Sequence, residues 1–283
     1  MRHRLPALPL LLGLLLGSGL AQAFNFNLDL GKLVDIAKQA TNLAEVDEER
    51  EREIGRDMSA NLLGAVALLP NPALQSYVNQ IGQWLALQTE RPGLAWRFGI
   101  LDTNDINAFA APGGYVFITA GLLGRLQSEA ELAGVLAHEM GHVVKRHHLV
   151  AIQSSAPTNI LTDVLSIAAD QDEHGPAWNQ LIDIGSDLHA KGLSREDEID
   201  ADLIGVVILT RAGYDPYALA AVLQRLEGVN PEDSALALMR KTHPTPEERL
   251  AALLASMGTH LDRYAVQPTV ADRFRARVAA EGS

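Results

Sequence analysis

Ser128-Glu129-Ala130-Glu131-Leu132-Ala133-Gly134-Val135-Leu136-Ala137-His138-Glu139-Met140-Gly141-His142 is the stretch on which the fold turns. Ser128 with Glu131 forms a capping box, which opens a helix predicted to run to about Gln153. His138 and His142 stand four residues apart, so on a helix both imidazoles can face one ion. Glu139 lies about 100° round the axis, close enough to act on a water at that ion without ligating it. This spacing is the pattern of a zinc site that hydrolyses peptide bonds. Five residues alone also arise by chance, so the surroundings have to support them.

Two histidines do not hold a catalytic zinc; a third protein ligand is needed, with one position left open. His148 completes the longer spacing of the metzincin class, but that class needs a glycine where this chain has Lys145. If the helix simply continues, His148 lies about 240° round from His142 and points away. The same angular test removes His147 as a ligand and leaves it a hydrogen-bonded structural residue. The better source is Ser194-Arg195-Glu196-Asp197-Glu198-Ile199-Asp200-Ala201-Asp202, which opens the next long helix. Glu198 and Asp202 share a face, so Glu198 could ligate while Asp202 accepts the free ring N–H of a ligand histidine. A solvated acidic first turn explains Glu196 and Asp197 equally well. It explains Glu198 and Asp202 less well, because Ile199, Leu203, Ile204, Val206 and Val207 mark the helix as buried.

The chain start is a separate matter. Arg2 and Arg4 precede an apolar run from Leu5 to Leu20, and Ala21-Gln22-Ala23 offers a small-x-small cleavage site. That is the layout of a secretory signal peptide over 1–23, with export to the periplasm and cleavage near Ala23 as the expectation. An uncleaved anchor is disfavoured by the short run and by Pro6, Pro9, Gly13, Gly17 and Gly19 within it. The chain has no cysteine, so a lipoprotein anchor, a disulfide and a thiol ligand are all excluded. Its formal charge of −12 argues against nucleic acid or anionic lipid as the main partner.

Elsewhere the reading is coarser. Residues 24–46 form an N-terminal arm. Acids and arginines alternate from Asp47 to Arg56, predicting a helix with a solvated face that runs on to Leu69, before Pro70. A second helix covers Ala73 to Thr89. Trp96–Leu101 and Tyr115–Thr119 alternate like strands, and the extended piece Asn107–Ala111 joins the second through a Pro112-Gly113-Gly114 turn. Helices follow near 194–212, 216–227 and 245–256, and no repeat is visible. The apolar run Ile160–Ala169 is too short to span a bilayer. Residues 263–283 read as a tail.

Taken together, these segments resemble the gluzincin metallopeptidase family that includes the CAAX prenyl protease, HtpX-like and BepA-like enzymes. The resemblance is carried by Asn107-Ala108-Phe109-Ala110 with Pro112-Gly113-Gly114, then His138–His142, then Ser194-Arg195 with Glu198, Ala201 and Asp202. Ala212-Gly213-Tyr214-Asp215-Pro216 and Thr242-His243-Pro244 complete it, in the family's order. It implies His138, His142 and Glu198 as ligands of one Zn²⁺ per chain, Glu139 as general base, and Asp202 as the support behind a ligand. It further implies an edge strand from Asn107 to Thr119 for substrate, with Asn107, Ala108, Phe109, Gly113 and Gly114 as binding residues. His243 matches a loop histidine that in some relatives reaches the metal. Here it either regulates access or steadies the transition state, or is a purely structural loop residue. Arg249 matches a common arginine that reads as structural.

The expected fold is α+β: a mainly helical zincin-type metallopeptidase domain over 47–262, with a small three-stranded sheet beside the active-site helix. The expected function is a zinc endopeptidase acting on unfolded or misassembled envelope proteins, near outer-membrane assembly machinery. The membrane helices of HtpX-like enzymes and the helical repeats of BepA-like enzymes have no counterpart here. The rival readings are a zinc-stabilised chaperone and an inactive homologue. An intact Glu139 beside the ligands disfavours both.

Overall fold

Asp47 accepts the Arg50 N–H at 2.8 Å and so starts helix α1, Glu48–Ala65. In the computed structural model, residues 46–157, 159–161, 175–230 and 232–279 are described. The stretches expected to be a signal peptide and an arm, up to residue 45, the apolar run beyond Leu161 and the last four residues lie outside them. The solvated face expected of α1 is partly buried instead. Glu51 is wholly enclosed and accepts from Arg91 Nη1 and Nη2, both at 2.8 Å, and from the Gly113 N–H at 3.2 Å. Arg146 Nη2 completes the set at 2.9 Å. The helix also stops earlier than predicted, because Leu68 leaves it to bridge Leu101 of the sheet.

Helix α2, Pro72–Ala86, has Pro at its start and the Asn71 side chain capping the Leu74 N–H. The sheet comprises β1 (Arg97–Leu101), β2 (Ala108–Ala111) and β3 (Tyr115–Thr119), in the order β1-β3-β2. β1 runs parallel to β3, and β2 pairs antiparallel with it in the register Phe109 opposite Phe117. β2 therefore forms one edge. Its turn into β3 needs positive φ at Gly113 (75°) and Gly114 (102°). α1 packs so close to this turn that a Cβ on Gly55 would collide with the Pro112 carbonyl.

After the short α3 (Ala120–Leu123), Ser128 caps α4, Glu129–Val144, as predicted. Every residue of α4 from Glu129 to Val143 is buried. The predicted continuation to Gln153 fails. Arg146 takes a left-handed conformation (φ 58°), and a separate helix α5, His147–Ser155, starts after it. Helix α6 is Pro176–Lys191, and α7 is Arg195–Arg211, capped by Ser194. α4 and α7 meet backbone to backbone. A Cβ on Gly141 would lie 2.9 Å from the Ala201 carbonyl oxygen, and one on Gly205 would lie 3.0 Å from the His138 nitrogen.

Helices α8 (Ala218–Glu227), α9 (Ala237–Thr242) and α10 (Pro246–Met257) follow. The last, α11 (Ala271–Ala279), falls in the stretch expected to be a tail. Its Phe274 is buried in the main core with Leu132 and Leu136. Its Arg273 pairs with Glu129, which also accepts the hydroxyls of Tyr77 and Tyr214, each at 2.7 Å. The main core lies between the sheet, α2 and α4, and a second cluster around Trp178 joins α1, α5 and α6. Among the described residues no helix is long and apolar enough to cross a membrane.

Glu51 ties four segments together, and removing it strands two arginines. Glu51→Ala should lower unfolding stability by about 3 kcal/mol, read by urea denaturation. A change inside experimental scatter would show that the arginines find water instead.

Candidate metal centre

α4 turns His138 and His142 to one side, and their Nε2 atoms lie 3.2 Å apart. α7 crosses beneath them and brings Glu198, with Oε1 3.5 Å from His142 Nε2 and Oε2 3.7 Å from His138 Nε2. Ligands about 2.0–2.2 Å from a tetrahedral zinc stand about 3.4 Å from one another, so the two ring nitrogens and the carboxylate stand at spacings that fit such an ion. The chemistry of the donor set fits as well. Burial, helped by Arg249, holds His138 below its ordinary pKa, and burial with the neighbouring imidazoles does the same for His142. Neutral rings keep a lone pair to offer. Glu198 Oε2 is buried without a hydrogen-bond partner among the described residues. Burial pushes the Glu198 carboxyl up to about 8 against the pull of Arg249. A cation between these groups would relieve that cost.

The ligand histidines are braced from behind. His138 Nδ1–H donates to Asp202 Oδ1 at 2.8 Å, which leaves the Nε2 lone pair unprotonated, with Arg249 Nη2 3.3 Å from it. Arg249 grips the same carboxylate with two bonds, Nε to Oδ2 at 2.9 Å and Nη2 to Oδ1 at 2.6 Å. Burial alone would raise Asp202, but Arg249 and His138 hold it well below the usual carboxylate range. Arg249 is therefore part of the site's scaffold, which residue spacing did not reveal. Behind His142 stands His147, with the two Nδ1 atoms 3.0 Å apart. Burial lowers the His147 pKa against the pull of Asp197 and Asp200.

Glu139 is buried beside this cluster. Burial, with Glu198 adding its repulsion, pushes its carboxyl up to about 8. His243 arrives from the end of α9. Pro244 confines it to extended backbone (φ −133°, ψ 151°), which ends the helix and swings the ring inward. Thr242 Oγ1 donates to the Leu238 carbonyl and can accept from His243 Nδ1–H at 2.9 Å. His243 Nε2 then faces Glu198 Oε2 at 3.8 Å. Ligand atoms of His138, Glu198 and His243 all lie within 4.8 Å of one another. His142 makes the tighter group with the same pair, and His243 lines the cleft beside it.

Ala108 and Phe109 line one cleft with Glu139, His142, Glu198 and His243. Asn107 lines the adjoining cavity with His138, Glu139 and Arg249. Gly113 and Gly114 are placed elsewhere: they are buried in the β2–β3 turn, against Arg52 and Trp96. Their positive φ serves the turn, and neither lines the cleft. His148 departs from expectation in the other direction. The break at Arg146 voids the angular test, and the His148 ring lies 5.5 Å from that of His142, within the cleft lining. Asp202→Asn should keep the fold and weaken zinc about 10–100-fold in chelator competition. Unchanged affinity would mean that Asp202 does not hold His138.

Comparison with known proteins agrees with this geometry. A sequence model of the family described as "Peptidase family M48" matches residues 72–257, which include every residue of the cluster. The chain is 30% identical to the beta-barrel assembly-enhancing protease of Escherichia coli K12 over 209 residues, 71% of this chain and 42% of that protein. It is 34% identical to the mitochondrial metalloendopeptidase OMA1 of Arabidopsis thaliana over 158 residues, 56% of this chain and 30% of that one. It is 27% identical to metalloprotease LoiP of Escherichia coli over 164 residues, 58% of this chain and 64% of that one. The match thus spans less than half the length of the first two relatives. With about two thirds of its residues inside the family model and His138, Glu139, His142 and Glu198 gathered in one buried cluster, the chain belongs to peptidase family M48.

Proposed function

We propose that this chain is a zinc-dependent endopeptidase that hydrolyses peptide bonds in misfolded or misassembled cell-envelope proteins. The observation that carries this reading is the approach of two imidazoles and a carboxylate to within 3.7 Å of each other beside the buried Glu139. His138, His142 and Glu198 would hold one zinc ion, which supplies Lewis acidity to a water and to the scissile carbonyl. Glu139 takes the water proton on its carboxylate and returns it to the leaving amine. Asn107 is buried, and neither amide atom has a partner among the described residues. Its Nδ2–H group would donate to the carbonyl oxygen as negative charge grows there. His243 lines the cleft, where it either gates entry or steadies the same oxygen.

Substrate would add to the outer edge of β2, whose Ala108, Phe109 and Ala110 line the cleft. Main-chain hydrogen bonds along such an edge accept many sequences, which suits unfolded polypeptides. The envelope setting draws on the signal-peptide pattern of residues 1–23 and on the name of the Escherichia coli relative. That name also suggests β-barrel assembly machinery as a partner in this proposal, and the signal-peptide pattern suggests the periplasm as the site of action.

Glu139→Gln should bind zinc as wild type does and lose about 10²–10⁴-fold in the rate of casein cleavage. Retained cleavage by that variant would sink the assignment of the base. If wild type and variant suppress aggregation equally and neither cleaves, the protein is a chaperone. Asn107→Ala should lower kcat about 10²-fold with little change in KM. A change confined to KM would place Asn107 in ground-state binding only.

A further inference from the structure

We propose that His147 positions His142 as a metal ligand, by accepting its Nδ1 proton and so keeping the Nε2 lone pair turned toward the ion. This rests on the metal reading above, and it assigns a task to a residue outside the five-residue motif. Two imidazole nitrogens 3.0 Å apart need one proton between them. If His142 ligates through Nε2, its own proton sits on Nδ1, and His147 Nδ1 must be the acceptor. His147 then carries its proton on Nε2. That atom faces Asp197 Oδ1 and Asp200 Oδ2, each at 3.6 Å. Asp200 is itself held by Lys145 Nζ at 3.0 Å. The tautomers run consistently from surface carboxylates to the cluster.

The backbone is shaped to allow this contact. On an unbroken helix His147 would stand about 140° round from His142 and could not meet it. Arg146 prevents that by taking φ 58° and ψ 29°, with its guanidinium held by Glu51 at 2.9 Å and by the Val46 carbonyl at 3.3 Å. The chain turns back, and the His147 ring comes to rest 5.2 Å from that of His142, nearly edge-on at 72°. His138 is braced by a carboxylate and His142 by an imidazole, so the two ligands are supported by different chemistry.

The test uses the full chain and zinc itself, in competition with a chromophoric chelator, beside thermal melts of the metal-free proteins. His147→Leu should weaken zinc about 10–100-fold. His147→Asn should retain most of the affinity, because its Oδ1 stands as many bonds from the backbone as imidazole Nδ1. A packing role predicts the opposite order, since leucine fills the space and asparagine does not. Wild-type affinity in the Leu variant, or tighter zinc there than in the Asn variant, overturns the proposal. Should the Leu variant fail to fold, His147→Gln takes its place. Its amide reaches the Nε2 position instead, so affinity at or above that of the Asn variant overturns the proposal and lower affinity supports it. Wild type that binds no zinc overturns the metal reading itself, a distinct result.

Discussion

The backbone contact between α4 and α7 sets everything else. Gly141 lies against Ala201 and Gly205 against His138, so the helices approach more closely than side chains would permit. Only at that separation does Glu198, a short carboxylate, reach two imidazoles on the neighbouring helix. A methyl group at either glycine would drive the axes apart by a few tenths of an ångström and spread the donor atoms. The Ala201-Asp202 pair next to Glu198 belongs to the same constraint: Ala201 is small where the helices touch, and Asp202 is one turn further on, behind His138.

That closeness gathers charge that a protein interior normally rejects. Glu139, Glu198, Asp202 and Arg249 are all buried within one neighbourhood. Arg249 satisfies Asp202 with two hydrogen bonds, yet its Nη1 stands 3.7 Å from Glu198 Oε2, too far to bond. One arginine cannot neutralise three carboxylates. Two of them, Glu139 and Glu198, therefore rise to about 8, and a bound cation would repay the burial of both. Metal affinity and fold stability are coupled in such a site, since binding energy is released only when α4 and α7 are docked.

Much of this was legible in the residues. The capping box at Ser128, the helix expected from Ala73 and the alternation in Trp96–Leu101 and Tyr115–Thr119 are local signals, and the elements they predict are present. Four-residue spacings placed His138 with His142 and Glu198 with Asp202. What escaped was non-local. Nothing near Arg146 announces a left-handed residue, a conformation that costs about 1 kcal/mol or more in a side chain with a Cβ. It is held by Glu51, some ninety positions upstream, whose own neighbours read as a surface ion-pair ladder. Glu129 was missed for the same reason, and Arg249 was read as structural from the resemblance alone, because a buried ion pair between distant segments leaves no period to detect. Gly113 and Gly114 were misplaced because a glycine needed for a turn and one needed beside a ligand look alike in sequence.

Glu129 carries a consequence for the order in which the chain assembles. It is the first residue of α4, and it is enclosed by Tyr77, Tyr214 and Arg273, the last of them 144 residues downstream. The helix bearing the histidines thus gains its final fastening only after α11 exists. Until α11 has docked, Glu129 lacks the Arg273 guanidinium that neutralises it in the folded chain. The N-terminal end of the motif helix is thus tied to the far end of the polypeptide, so loss of α11 would be felt at a centre that α11 does not touch.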